Sequence, residues 1–428
     1  MYQKSILENG IRVVTDSMPA VRSVATGIMV DSGSRDELST KSGLAHLTEH
    51  LMFQGTSNRS AIQIARLMDE AGGHTGAFTS RDYTCFTTTV LDDYHTYALD
   101  LLGDIFLNSL FPEAELERQK NAIIREIEIS DDQPAQRADT LLKSFVWSGH
   151  SLGQPTAGSV DTIGSLTRED VIYFMHCRYL PVHIIIAAAG NVDHEDFVAQ
   201  VRDAFWRMTG GSTPSAVHRP DFRRGAVIEH RNVNLVYFAV GIRALPYAHE
   251  NRYAIHIINQ LIGGGISSRL FRRIRESKGQ VYHIGSEYQA YRDDGLLVID
   301  GSTPAENLRD VLGQTLNEIK CMFTGDDPVD EDELWKVKKQ LKAEHLIAAE
   351  NTNTRMGRLA TQELYFGRHI STGEIIQQID AINVDGLRQL MTDTLCGALS
   401  EAAVVLVGPD KGSFYNTASI DNLLAGIN

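Results

Sequence analysis

The sequence predicts an α+β chain of two homologous domains, each a mostly antiparallel sheet packed with helices. Three observations lead there. At 428 residues the chain is too long for one ordinary hydrophobic core. Strand-like and helix-like segments follow one another without strict alternation, which disfavours a doubly wound parallel sheet. The stretch TGGSTPSAVHRPDF, Thr209 to Phe222, has the paired glycines, Ser, Thr and prolines of a linker and lies near the midpoint. It divides the chain into domains at 1–212 and 222–428.

The two halves share an order of elements. In the first, VRSVATGIMVDSGS reads as an alternating strand, followed by the helical GLAHLTEHLMF. The β-branched and aromatic DYTCFTTTVL comes next, then the long amphipathic helix EAELERQKNAIIREIEIS. In the second, NLVYFAVGIRAL is the strand and ENRYAIHIINQLIGGG the helix. GLLVIDGS is again strand-like, and DEDELWKVKKQLKAEHLIAAE is the long helix. The repetition points to a duplication.

Composition narrows the function. The formal net charge of -15 argues against nucleic acid as the main partner, since phosphate binding needs a surplus of Lys and Arg. Cys85, Cys177, Cys321 and Cys396 are widely spaced with no CxxC pair, so neither a thiolate metal site nor a disulfide framework is expected. The opening MYQKSILENGIRVV lacks the apolar run of a secretory signal, and no segment approaches the roughly 20 apolar residues of a spanning helix. The expectation is a soluble, cytoplasmic protein without membrane partners.

The chemistry concentrates in GLAHLTEHLMFQGT, Gly43 to Thr56. Ser42 is placed to cap a helix starting at Gly43, and Gly55 to end it. His46 and His50 stand four apart on one helical face, where both imidazoles can reach one ion, and Glu49 flanks that face. Two imidazoles suit zinc, and a carboxylate beside the open position can take a proton from water. HxxEH is the inverted form of the HExxH zinc motif. The competing reading, a pair of core histidines, is poor because unpaired buried imidazoles are costly.

A third ligand can come from the helix Glu113 to Ser130, whose buried stripe is Leu116, Ile123, Ile124 and Ile127. Glu126 borders that stripe, Gln119 lies two turns earlier on the same face, and Glu117 and Glu128 project elsewhere. These residues alone leave the choice open.

Taken in order, LENGIRVV, GSRDE, GLAHLTEHLMFQGT, AGGHTGAFTSRDYTCF, ERQKNAIIREIEISDDQP, HSLGQPTAG and AAAGNVD resemble the pitrilysin family of zinc peptidases. GGGISSRLFRRIRESKGQVY and NTNTRMGRLATQELYFGR continue the likeness, which is to the bacterial branch similar to the mitochondrial processing peptidase β subunit. The resemblance implies that family's clam-shell fold around a closed chamber, one Zn2+ per chain and a homodimer. It implies zinc ligands His46, His50 and Glu126, the last 76 positions after the second histidine, with Glu49 as general base. It implies that Arg275 and Tyr282 reach the substrate from the second domain, where a hydroxyl and a guanidinium can hold a peptide carbonyl. Peptides or unfolded polypeptides would add as a strand along the edge from Gly76 through Ala77, Phe78 and Thr79 to Ser80.

Three departures stand out. Gln119 replaces a glutamate of the family pattern and would act behind the ligands. Gly76 replaces an asparagine, and Phe86 replaces an aromatic hydroxyl. They keep an alternative in view, a non-catalytic or partner subunit of a heterodimeric processing peptidase.

Other candidates read as structural. GGGISS lacks the Lys-Ser/Thr ending of a phosphate loop and reads as a turn. His74 reads as solvated, Asp131 and Asp132 as an acidic helix end, and His256 as a lone histidine without an HxxEH motif.

Overall fold

The computed structural model describes residues 1–210, 219–324, 327–412 and 414–426, so most of the expected linker, residues 211–218, lies outside the described residues. Five helices matter below: α1 (Leu44–Met52), α2 (Glu113–Asp132), α3 (Pro134–Val146), α4 (Arg252–Ile262) and α5 (Thr352–Phe366). The chain forms two compact units. One holds Met1–Glu128, the described part of Gln154–Val217, and Leu346–Ile370; the other holds Ile129–Gly153, the described part of His218–His345, and the described part of Ser371–Asn428.

The sheet of the first unit contains β1 (Tyr2–Ile6), β2 (Arg12–Ser17), β3 (Ser23–Val30), β4 (His74–Thr79), β5 (Thr84–Leu91) and β6 (Ile184–Gly190). Their order is β1-β2-β6-β3-β5-β4, with every pair antiparallel except β2 and β6. The second unit's sheet contains β7 (Gly225–His230), β8 (Val236–Ala244), β9 (His283–Ala290), β10 (Gly295–Thr303) and β11 (Ala403–Gly408). Its order is β7-β11-β8-β10-β9, and again one pair, β7 with β11, is parallel. Leaving out β1, the two sheets have one topology. The repeated order of elements in the sequence is therefore a repeated fold.

β3 does not alternate buried and exposed as expected; all but its first residue are buried. The cause is a helix layer on each face. Val24, Ile28 and Val30 join a core with Leu47, Leu51 and Phe86, while Ala25 and Met29 pack with Met356, Leu359 and Ala360 of α5. A Cβ on Gly27 would overlap the Met356 Sδ on that second face, so a larger residue there would push the Met356 side chain aside. The second sheet repeats the device: α3 packs Leu142 on β8, and a Cβ on Gly241 would stand 3.0 Å from the Leu142 side chain. Each unit thus takes its outer helix from the other half of the sequence. An amphipathic pattern says that a helix face is buried, not against what.

Candidate metal centre

α1 starts at Leu44, one residue later than expected, and ends at Met52. Its N-cap is Gly43 in the left-handed region (φ +93), and Ser42 makes no capping bond. The buried Glu37 carboxylate does the capping from seven positions upstream of Leu44: Oε2 accepts from Gly43 N–H at 2.8 Å and Oε1 from Ala45 N–H at 2.6 Å. This satisfies two free donors at the positive end of the helix. Burial pushes the Glu37 carboxyl up to about 8, against those two N–H groups, which pull it down. The sequence contained Glu37 in GSRDE, but nothing local marks it as the partner of a helix further on.

On α1, His46 and His50 stand one turn apart, with ring centroids 4.6 Å apart and an interplanar angle of 74°. Both Nε2 atoms lie 3.9 Å from Glu126 Oε2 on α2, and the three ligand atoms fall within 4.8 Å of one another. All the residues around this point belong to one compact unit. Glu126, bordering the buried stripe of α2, reaches the two histidines of the neighbouring helix α1. Its side chain is 51% exposed, and a buried Lys120 takes part of the expected stripe.

The donor set fits a metal. Burial, with His50 beside it, drives the His46 imidazole down to about 4, so it is neutral and carries a lone pair. His50 Nδ1 lies 3.2 Å from Gln119 Oε1. An amide oxygen only accepts, so Nδ1 carries the proton and Nε2 keeps its lone pair toward Glu126. The 3.9 Å separations are too long for hydrogen bonds. The 51% exposed Glu126 side chain has room to move toward an ion held between the three groups.

Glu49 lies on the same helix, 8% exposed. Its Oε2 accepts a 2.6 Å hydrogen bond from Thr79 Oγ1 at the end of β4. Burial pushes its carboxyl above the ordinary value, Thr79 and His50 pull it back, and Glu126 adds a push upward. A carboxyl so raised is better matched to proton transfer near neutral pH.

β4 is an edge strand, paired only with β5 among the described strands. A Cβ on Gly76 would meet nothing within 4 Å, and Phe78 is 47% exposed. Gly76, Ala77, Phe78 and Thr79 therefore offer an open backbone edge that runs to Glu49. A cavity of about 660 Å³ lined in part by Glu37, Lys41, Leu44, Phe174 and Cys177 is separate from these groups.

Arg275 and Tyr282 belong to the second unit. Arg275 sits on a π-helical turn, Phe271–Glu276, with its guanidinium 4.9 Å from the Phe271 ring centroid. Tyr282, just before β9, is 79% exposed and its N–H donates to Ser302 O at 3.0 Å. Of the structural candidates, residues 263–268 form turns after α4, and Asp131 pairs with Arg137 at 3.1 Å.

An inverted pair of histidines, a glutamate on a second helix and a buried carboxylate beside an open sheet edge define the class as a metallopeptidase-type site on an α+β repeat. The known proteins agree. Residues 12–160 match the family described as insulinase (peptidase family M16), and residues 165–341 match the peptidase M16 inactive domain. The uncharacterized zinc protease YmxG of Bacillus subtilis (strain 168) is 35% identical over 403 residues, covering 93% of this chain and 98% of the relative. The chain belongs to peptidase family M16, the insulinase and pitrilysin family. Its fold is also that of a peptidase M16 inactive domain from Pseudomonas fluorescens, with TM-score 0.89 and 18% identity over 96% of this chain and 98% of that one. A protease from Helicobacter pylori matches with TM-score 0.87 and 21% identity, over 96% of this chain and 100% of its own. No described helix is long and apolar enough to cross a membrane.

Proposed function

We propose that this chain is a zinc-dependent metalloendopeptidase that hydrolyses peptides or unfolded polypeptides in an enclosed chamber. The observation that carries the reading is the convergence of His46, His50 and Glu126 ligand atoms within 4.8 Å, with the Glu49 carboxylate on the same helix. The zinc-protease names of relatives such as YmxG support the choice of metal.

In this reading region 1–212 is the zinc-binding domain and region 222–428 supplies Arg275 and Tyr282. His46 and His50 would hold zinc through Nε2 and Glu126 through its carboxylate, one ion per chain, and the ion would supply Lewis-acid chemistry for activating water. Gln119 holds the His50 ring in the tautomer that leaves Nε2 free. The substrate adds as a strand along Gly76, Ala77, Phe78 and Thr79, gaining backbone hydrogen bonds that do not depend on its sequence. Glu49 takes a proton from the attacking water and returns it to the leaving amine. Arg275 and Tyr282 hold the substrate carbonyl as negative charge develops on its oxygen. The active form is a homodimer in the cytoplasm.

The test is Glu49→Gln. Zinc should remain at one per chain while peptide cleavage falls by orders of magnitude; unchanged turnover would refute the mechanism. A wild-type chain that binds no zinc and cuts no unfolded peptide would instead favour the non-catalytic partner subunit.

A further inference from the structure

The Thr79 hydroxyl links two parts of the site that otherwise have separate jobs. Thr79 is the last residue of β4, the edge strand, and sits opposite Thr84 of β5. Its Oγ1 donates to Glu49 Oε2 at 2.6 Å, short as expected when the acceptor is ionised. The direction is fixed because a carboxylate has no hydrogen to give. Glu49 Oε1 makes no hydrogen bond among the described residues. One oxygen is therefore anchored and the other is left to react. The anchor is itself stiff, since a β-branched side chain in a strand has few χ1 choices.

We infer that Thr79 is a positioning residue for the base: it fixes Glu49 through Oε2, presents Oε1 to the attacking water, and ties the base to the strand along which substrate adds. The inference rests on the proposed peptidase reading. A substrate strand paired with β4 takes its register from the same backbone that carries the Thr79 hydroxyl. The scissile carbonyl and the proton acceptor are then placed by one element.

A purely structural Thr79 would affect folding or strand pairing, whereas a positioning Thr79 affects the chemical step. The experiment compares full-length wild type, Glu49→Gln, Thr79→Val and Thr79→Ser. It measures zinc content, melting temperature, kcat and KM on a fluorogenic peptide, and Kd for that peptide on chelator-treated protein. Thr79→Val keeps the side-chain shape and removes the donor. Its kcat should fall roughly ten- to hundredfold, the range for a lost hydrogen bond to a charged group. Zinc content, KM and the Kd on metal-free protein should stay at wild-type values, and Thr79→Ser should recover most of kcat. If Thr79→Val unfolds, Thr79→Ala carries the same expectation. Wild-type kcat in the valine variant, a loss lying in KM and Kd, or no recovery with serine would each overturn the inference. These outcomes differ from failure of the peptidase reading, in which wild type and Glu49→Gln would be equally active or equally inert.

Discussion

Gln119 gives the sharpest test of how the metal centre is held. Its side-chain oxygen is the one acceptor that fixes the His50 ring, at 3.2 Å. Replacing it with alanine leaves Nδ1–H to water and frees the imidazole to rotate. A neutral hydrogen bond contributes about 0.5–1.5 kcal/mol. Outer partners of ligating histidines are worth about 10–100-fold in metal affinity. The long bond and the partly exposed His50 place Gln119→Ala at the low end, about tenfold weaker zinc binding, or ~1.4 kcal/mol. Gln119→Glu should move the other way, because a carboxylate acceptor roughly doubles the bond and adds negative charge near the cation. Zinc affinity is read by competition with a series of chelators at fixed pH and ionic strength. Equal affinity in wild type and Gln119→Ala, or weaker binding in Gln119→Glu, would refute the assignment. The family likeness makes a glutamate the expected residue at this position, so the glutamine reads as a site tuned toward weaker holding.

Other outcomes follow from the same geometry. Glu126→Ala removes one of three ligands, and the dialysed protein should lose its zinc and its peptidase activity together, as metal analysis and a peptide assay would report. Chelation of the wild type should abolish cleavage and lower the melting temperature, and added zinc should restore both. Metal at a thousandfold its Kd contributes about 4 kcal/mol to stability. Glu37→Gln leaves one of two α1 N–H groups without an acceptor and should cost about 1–3 kcal/mol near pH 5 in chemical denaturation. The Glu37 carboxyl binds its proton more tightly folded than unfolded, so its contribution falls as pH rises from 4.5 to about 8. The variant lacks that slope, and its deficit should shrink across this range. Gly76→Asn enters open space at ordinary φ, and the new amide should lower KM for peptides in a peptide-cleavage assay.

What the sequence disclosed followed the range of each interaction. His46, Glu49 and His50 were legible because a helix turns four residues into neighbours, and their polarity is anomalous on an apolar segment. Glu126 was half legible: the stripe of α2 gave its side of the helix, while the family spacing singled it out among several acids. The Thr79 bond to Glu49 and the Glu37 bonds to Gly43 and Ala45 were not legible, because each joins segments whose relation only the fold sets. Glu37 is a plain acidic residue in GSRDE until α1 arrives above it. The packing of α3 and α5 was hidden for the same reason. Gly27 and Gly241 are its clearest trace, two small residues at matching places on matching strands.

The repeat also explains why one half carries the metal set. α4 follows β8 as α1 follows β3, and it too carries a histidine, yet His256 joins no cluster of three metal-ligating groups among the described residues. Its ring meets Tyr288 edge-on at 5.0 Å and lies 6.3 Å from Tyr253. Burial drives both imidazoles down to about 4, so both are neutral and neither is distinguished by its own ionisation. The difference lies in what faces them. His46 has an unpaired, buried Nδ1, with Nε2 turned toward His50 and Glu126, a set that a cation completes. His256 is walled by aromatic rings, and Tyr253, Ala254, Ile255, Ile257 and Ile258 of its helix are buried. A cation placed there would lose its water and meet the positive Arg252 guanidinium, at a cost of several kcal/mol. The two copies of the fold therefore differ in what their side chains could bind through changes on two helices, α1 and α2, while their sheets keep one topology.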